Sequence, residues 1–309
     1  MIGKNDKIFV AGHKGLVGSA IIRKLKKNNY KKIITRDKKK LNLLNQKETF
    51  EFLKKNKPKI IFLCAAYVGG IKANNFYKAK FLYENMQLQN NVIHGAYLAG
   101  IKNLIFLGSS CIYPINVKRP IKEKSLILGN LEPTNEGYAI AKISGVKLCE
   151  YYNSTYKTNF KCLMPCNIYG PNDNYDLDSS HFIPAIIKKL HLIKKNKNKF
   201  LELWGSGKTK REVLFVDDLA DACIFFMNKK IKDTILNIGS GKEYTILQFV
   251  KKISKILNVQ PVIKYNKKER NGVYSKLLDI SNAKKNGWKP KTSFDKGIKI
   301  TYEKFIQSE

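Results

Sequence analysis

The 309-residue sequence has no apolar stretch near the roughly 18 residues of a membrane span, so no transmembrane helix is expected. Its opening, MIGKNDKIFVAGHKG, passes straight into a short apolar strand and glycines. A long hydrophobic leader and a small-residue cleavage site are both missing there, so no signal peptide is expected and a cytoplasmic location is the default. The six cysteines, Cys64, Cys111, Cys149, Cys162, Cys166 and Cys223, include no CxxC pair and mostly sit in apolar runs. They read as small buried hydrophobes rather than a disulfide framework. Cys162 and Cys166 lie along an expected strand without nearby histidines, so no metal is expected either. Acidic residues are few, 24 against 58 Lys plus Arg, giving a net charge of +34. Arginine is scarce, however, and there is no aromatic–basic repeat or helix-turn-helix pattern, so a nucleic-acid partner is not expected. The lysines are scattered along a chain rich in Lys, Asn and Ile; their field would still draw in an anionic small molecule. Internal repeats and low-complexity linkers are also missing.

What is present is an alternation of short apolar runs with longer helical patterns. KIFVA (7–11), residues 32–35, IIFLC (60–64), LIFLG (104–108) and residues 160–164 read as strands. Residues 17–27, 49–55, 80–99 and 139–156 read as helices between them. Continuously apolar strands separated by helices indicate a parallel sheet covered on both faces, hence an α/β, Rossmann-type doubly wound fold. After about Asn167 prolines and glycines cluster and the alternation loosens, although residues 236–238 read as one more strand and 245–257 and 294–305 as helices. We therefore expect a dinucleotide-binding domain over 1–166 and a mainly substrate-binding region over 167–309, with some segments (about 210–245) returning to the main sheet.

The first motif is VAGHKGLVG at Val10–Gly18. Gly12 permits a tight turn, Gly15 lets backbone approach a pyrophosphate, and Gly18 lets strand and helix pack closely. The helix that follows presents free N–H groups and its positive dipole end to phosphates. Such a triplet is informative because it falls between a strand and a helix. The second strand ends in Thr35-Arg36-Asp37. An acid at that place suits the ribose hydroxyls of NAD, whereas a guanidinium suits a 2′-phosphate; with Arg36 first, NADP is the favoured reading.

The second motif is Tyr138-Ala-Ile-Ala-Lys142, whose ends share a helix face. An ammonium about 4 Å from a phenol is worth about 4 kcal/mol at an effective dielectric near 20, enough to bring a tyrosine pKa of about 10 to about 7. That would suit a proton donor to a carbonyl oxygen at neutral pH. Ser109 and Ser110 lie just past a buried strand upstream. Ser109 is expected to hydrogen-bond a substrate carbonyl, and Lys142 to hold the cofactor ribose as well. In an extended segment Cys111 would share the face of Ser109. A thiol and an imidazole both exchange protons near neutrality, which makes Cys111 a candidate acid or base.

With AGHKGLVGSA (11–20), VGGIKANN (68–75), LGSSCIYP (107–114), LEPTNEGYAIAKISGVKLCE (131–150), NIYGPNDN (167–174), SSHFIPA (179–185), WGSGKTKREVLFVDDLA (204–220) and SKLLDISNAKKNGWKP (275–290), the sequence resembles the extended short-chain dehydrogenase/reductase family over nearly its whole length. The resemblance implies an enzyme that takes a GDP-linked 4-keto-6-deoxy sugar, epimerises the carbons flanking the ketone through enolates, and reduces the ketone with NADPH. It implies Ser109, Cys111, Tyr138, Lys142 and His181 as catalytic residues. It implies cofactor contacts from Gly12, His13, Lys14, Gly15, Leu16, Val17, Gly18, Arg36, Leu107, Gly108, Ser109, Ser110, Lys142, Pro165, Cys166, Asn167, Ile168 and His181, and substrate contacts from Lys189, Trp204, Arg211 and Asp279. The helices around 80–99 and 139–156 resemble the family's four-helix dimer interface, implying a homodimer. Three departures stand out: Lys14 where arginine is common, Cys166 where threonine is frequent, and Arg270-Asn271-Gly272 in place of Pro-Asp-Gly. The competing readings are a nucleotide-sugar 4-epimerase or 4,6-dehydratase, opposed by Ser110-Cys111 where a dehydratase carries an acid pair, and a non-enzymatic basic binding protein, opposed by the intact Ser109, Tyr138 and Lys142.

Overall fold

In the computed structural model, which describes residues 1–196, 199–266 and 273–309, Arg270-Asn271-Gly272 lies outside the described residues. The elements run β1 (Lys7–Ala11), α1 (Leu16–Lys27), β2 (Lys32–Ile34), α2 (Gln46–Asn56), β3 (Ile60–Leu63), α3 (Ile71–Phe76), α4 (Lys78–Leu98), β4 (Asn103–Leu107), α5 (Glu136–Tyr156), β5 (Asn159–Pro165) and β6 (Asn167–Tyr169). They continue as α6 (Phe182–Lys194), β7 (Phe200–Trp204), β8 (Lys210–Phe215), α7 (Val216–Asn228), β9 (Ile235–Ile238), β10 (Glu243–Thr245), α8 (Ile246–Leu257), β11 (Val262–Asn266), α9 (Ser281–Lys285) and α10 (Phe294–Ser308).

Six of these strands form the expected parallel sheet in the order β2-β1-β3-β4-β5-β9. Every residue of β3 is buried, and so are Ile8 to Ala11 of β1, because helices cover both faces. One cover is α1 against α7, the other α2, α4 and α5. In α1 the apolar stripe Ala20, Ile21 and Leu25 faces inward while its lysines face water. Gln89 ties α4 to α5 by donating to the Ala141 carbonyl and the Ser144 hydroxyl. The chain leaves β1 for β2 on one side and returns to β3 on the other. That reversal opens a crevice at the carboxyl ends of β1 and β3, the usual place for a ligand in such sheets.

Beyond β5 the chain builds two small sheets, β10-β8-β6 and β11-β7. They share a second apolar core with α6, α8 and α10, built on Ile187, Phe249, Ile253 and Ile298. The Thr245 side chain and Gln248 close a reciprocal capping box at the start of α8. Within about 210–245, α7 packs on α1 and β9 joins the large sheet, whereas β8 and β10 pair in the small one. Among the described residues no helix is long and apolar enough to cross a membrane.

Candidate active site

The glycine loop sits at the sheet's switch point. Gly12 has φ of 83°, and a Cβ there would lie 2.6 Å from the Ala65 backbone nitrogen, so only glycine fits the turn. A side chain at Gly18 would strike the Gly12 carbonyl oxygen. At Gly15 the nearest atom to a Cβ position is 3.5 Å away. The loop is therefore tight beneath and open above, and it leads into the N-terminus of α1, where no acidic side chain occupies the first turn. That geometry leaves the N–H groups of the first turn available to phosphate oxygens.

An open cavity of 510 Å³ beside the loop is lined by His13, Thr35, Arg36, Asp37 and Lys40. The Lys14 ammonium lies 2.9 Å from the Asp37 carboxylate, and the His13 ring lies 3.2 Å from it. The Lys14 hydrogen bond is the main cause holding the Asp37 carboxyl below its ordinary value. Asp37 is thus already engaged from the loop side by the Lys14 ammonium. Arg36 lies over the Phe52 ring with its centre 5.6 Å from the centroid, held in place by a bond from its guanidinium to the Thr35 carbonyl at 2.8 Å. The pocket fits a phosphate on the ribose better than two bare hydroxyls.

The carboxyl end of β4 carries the second group. The Ser110–Ile112 segment is a short 3₁₀ turn rather than extended, with the Ser109 hydroxyl accepting from the Cys111 N–H at 3.1 Å. The expectation that Ser109 and Cys111 share one face of an extended segment is therefore corrected: the serine side chain caps the backbone and coils it. Cys111 nevertheless lies in electrostatic reach of Tyr138, whose phenol hydrogen-bonds Ser109.

The expected lowering of the Tyr138 pKa is also corrected. Burial pushes the phenol up, the negative form of Cys111 adds to that, and only the Ser109 bond opposes. Lys142 does not supply the lowering because it is committed elsewhere. Its ammonium donates to the Leu107 carbonyl at 2.9 Å and lies 5.8 Å from the centroid of the Tyr138 ring. Burial brings Lys142 itself down to about 8. The result is a protonated phenol beside a serine hydroxyl, the state in which a tyrosine donates.

Arg211, on β8, has its pKa lowered by burial, against the opposing influence of Cys111, Glu132 and Glu243. Its guanidinium is held by the carbonyls of Lys210 and Val273, each at 2.7 Å. His181 is the N-cap residue of α6. Its imidazole touches solvent, yet the protein surrounding it lowers its pKa by desolvation. Packing brings its segment to the site. Gly70 donates to the Ser179 carbonyl at 3.0 Å, a side chain at Gly69 would touch Phe81, and Phe81 meets the Tyr138 ring edge-on at 6.4 Å.

Asn167 and Ile168 form β6 directly after β5, with the Asn167 amide donating to the Glu212 carbonyl at 3.0 Å, while Cys166 is buried and pairs with Ile238. Lys189 and Trp204 lie farther out, on α6 and at the end of β7, with Lys189 donating to the Glu202 carbonyl at 3.1 Å. Asp279 stands two residues before α9. Its carboxylate caps a turn by accepting from the Ser281 N–H at 2.9 Å, and the Ser281 side chain is the main cause lowering its pKa.

Two residues had gone unnoticed in the sequence. Lys276 places its ammonium 3.9 Å from the Cys111 sulfur. Glu212, fully buried, accepts from the N–H groups of Gly241 at 2.7 Å and Leu278 at 2.9 Å, and burial raises its carboxyl to about 7. Lys276 falls within SKLLD, whose nearest carboxylate had drawn attention instead; nothing in the pattern around Glu212 marks it as buried.

A protonated phenol with a serine partner, set above a phosphate-binding crevice, is equipment for adding or removing hydrogen at a carbonyl, so fold and site together define a dinucleotide-dependent oxidoreductase. The chain belongs to the NAD dependent epimerase/dehydratase family, whose pattern matches residues 8–239. It is similar to the GDP-L-fucose synthase of Sinorhizobium fredii, 43% identical over 302 residues that cover 98% of this chain and 96% of the relative. It superimposes with a TM-score of 0.94 on a GDP-6-OMe-4-keto-L-xylo-heptose reductase from Campylobacter jejuni, 34% identical and covering 100% and 99% of the two chains. A GDP-L-fucose synthetase from Naegleria fowleri, bound to NADP, aligns with a TM-score of 0.91 at 25% identity, covering 100% of this chain and 95% of that one.

Proposed function

We propose that the protein converts GDP-4-keto-6-deoxy-D-mannose to GDP-L-fucose, epimerising carbons 3 and 5 and then reducing the 4-ketone with NADPH. The observation that carries this is the meeting of Cys111 with Tyr138 and Ser109 at the end of β4, beside the phosphate loop. Support comes also from the relative in Sinorhizobium fredii, which bears that activity in its name.

On this reading residues 1–166 hold the cofactor and 167–309 mainly the substrate. The loop Gly12–Gly18, with His13, Lys14, Leu16 and Val17, takes the pyrophosphate, and Arg36 takes the 2′-phosphate. Leu107, Gly108, Ser110, Pro165, Cys166, Asn167 and Ile168 line the nicotinamide end. NADPH, when bound, supplies the hydride. Cys111 and His181 exchange the protons on the two carbons beside the ketone, whose acidity comes from delocalising the resulting charge onto the carbonyl oxygen. Ser109 hydrogen-bonds that oxygen, and Tyr138 gives it a proton during reduction. Lys142 orients the cofactor ribose. Arg211, Lys189, Trp204 and Asp279 serve the nucleotide portion of the substrate, the guanidinium of Arg211 matching a diphosphate.

Replacing Cys111 with serine tests the assignment. In deuterated buffer, uptake of deuterium at carbons 3 and 5 is expected to fall at least about tenfold further than NADPH oxidation with a pre-epimerised ketone. Equal loss of both steps would contradict the thiol's role. NADPH oxidation by the unaltered protein with no deuterium uptake at all would make it a plain 4-ketone reductase instead.

The pairing of α4 with α5 supports a homodimer. Both helices bury one face on the sheet, yet they leave Tyr83, Leu98, Ile140 and Tyr151 exposed on the other. Matched against a second copy, the two helices would complete a four-helix interface. Sedimentation velocity at micromolar protein is expected to give a single species of twice the 35.4 kDa chain mass; a purely monomeric profile would remove the claim.

A further inference from the structure

The segment after Val273 forms no regular element until α9, apart from one parallel bridge between Leu278 and Ile121. It is nonetheless pinned on both sides of Lys276. Before it, the Ser275 carbonyl accepts from Arg119 at 2.8 Å and the Ser275 hydroxyl donates to Glu243 at 2.6 Å. After it, Ile121 donates to the Leu277 carbonyl at 2.8 Å, Leu278 donates to the buried Glu212 carboxylate at 2.9 Å, and Asp279 donates to Ile121 at 2.8 Å. A lysine side chain is ordinarily the most mobile of cations, and fixing it costs rotamer entropy. Here the residues flanking it are held by five bonds, four of them to their backbone, and the ammonium is delivered 3.9 Å from the Cys111 sulfur. Arg211, which feels the charge of Cys111, is tied to the same segment through the Val273 carbonyl.

We propose that Lys276 is a positioning residue for Cys111: its ammonium faces the sulfur and favours the thiolate that removes a proton beside the substrate ketone. This rests on the epimerase reading given above. In the step itself the C–H bond breaks, an S–H bond forms, and the electron pair of the C–H bond moves onto the ketone oxygen. An ammonium beside the sulfur stabilises the anion before the proton is taken and leaves the neutral thiol to return it. Arg211 is the weaker partner because its guanidinium is already shared with the Lys210 and Val273 carbonyls. Glu212 acts at one remove, by anchoring Leu278 two residues along the chain.

The test uses the full-length protein carrying Lys276→Met, Lys276→Gln or Lys276→Arg, alongside Cys111→Ser. Three rates are read at neutral pH: alkylation of Cys111 by iodoacetamide, located by peptide mass; deuterium uptake from solvent into GDP-4-keto-6-deoxymannose; and NADPH oxidation with the pre-epimerised ketone. Methionine and glutamine are each expected to lower alkylation and deuterium uptake by about tenfold or more while cofactor oxidation stays within about twofold, and arginine is expected to restore most of both. Alkylation and uptake within about twofold of the unaltered protein in the two neutral variants would overturn the proposal. So would equal loss of all three rates, or a collapse of the circular-dichroism signal in both neutral variants, because either marks Lys276 as structural. If Cys111→Ser itself leaves deuterium uptake intact, it is the epimerase role of the thiol that fails; if Cys111→Ser abolishes uptake and the lysine variants do not, only the role of Lys276 fails.

Discussion

Tyr138→Phe is expected to lower NADPH oxidation on the ketosugar by about 10²- to 10⁴-fold, the span covered by a positioned proton donor. The reasoning starts from burial. The phenol is pushed above its ordinary value, so at neutral pH it is fully protonated and carries the proton that the ketone oxygen must receive. The Ser109 side chain is the one group opposing that rise, so the hydroxyl proposed to hold the ketone oxygen lies near the phenol. Phenylalanine removes only the hydroxyl. The edge-on contact with Phe81 and the body of α5 remain, so the fold and the KM for NADPH should change little. Deuterium exchange at carbons 3 and 5 should fall much less than reduction, since the proposed mechanism passes those protons through Cys111 and His181. A variant that keeps reduction within about tenfold would show that another group, or water, supplies the proton.

The large sheet could be read directly from the chain because its strands are buried on both faces, which makes each a continuous apolar run. KIFVA, IIFL and NLIFL announce themselves, and the glycines between β1 and α1 fix where a dinucleotide enters. The substrate side is less legible. In β7 only Leu201 and Leu203 face inward, β6 and β10 are three residues long, and β11 is largely exposed. Strands so short and so wet leave little hydrophobic signal, and their pairing is settled by tertiary contacts far along the chain. Helix α7 was hidden for the opposite reason: VDDLADACIFFMN is buried over most of its surface between α1 and the sheet, leaving only the narrow half-buried stripe Asp217, Asp221, Phe225 and Asn228.

The same division holds at the site. Ser109, Tyr138, Lys142 and the glycine loop stand in motifs whose spacing has a mechanical reason, so they could be named in advance. Lys276 could not, because nothing local links residue 276 to residue 111; the link is made by Glu212 and Arg119 holding a segment without regular structure. Spacing also misled twice: Cys111, two residues after Ser109, leaves the shared extended face because the Ser110–Ile112 segment coils. The i, i+4 relation of Tyr138 and Lys142 fixes a shared helix face, but which partner the ammonium takes depends on β4, whose last carbonyl captures it.

That capture leads to the second large effect. Lys142→Met is expected to lower NADPH oxidation by about 10²-fold or more, since on the proposed mechanism Lys142 orients the cofactor and no other buried ammonium in the described residues reaches the Leu107 carbonyl. The same substitution should change stability in a way that depends on pH. In the folded chain burial brings this ammonium from 10.5 to about 8. Folding therefore disfavours its proton, and the resulting penalty is complete below about pH 8, shrinks as pH rises between the folded and unfolded values, and is gone above about 10.5. At roughly 1.4 kcal/mol per unit the penalty at neutral pH is about 3 kcal/mol. Against it stands the Leu107 carbonyl, which loses its donor in the variant at a cost of about 1–2 kcal/mol. The balance at pH 7 favours the methionine chain by about 1–2 kcal/mol, and at alkaline pH it reverses because only the lost bond is left. Lys161, also buried and brought to about 8, is present in both proteins and cancels in the comparison. Urea midpoints measured for the two chains from pH 7 to pH 10 check this directly. A variant that is less stable at pH 7, by a margin that does not change with pH, would show that the buried ammonium carries no penalty and that its bond to Leu107 fully offsets the desolvation.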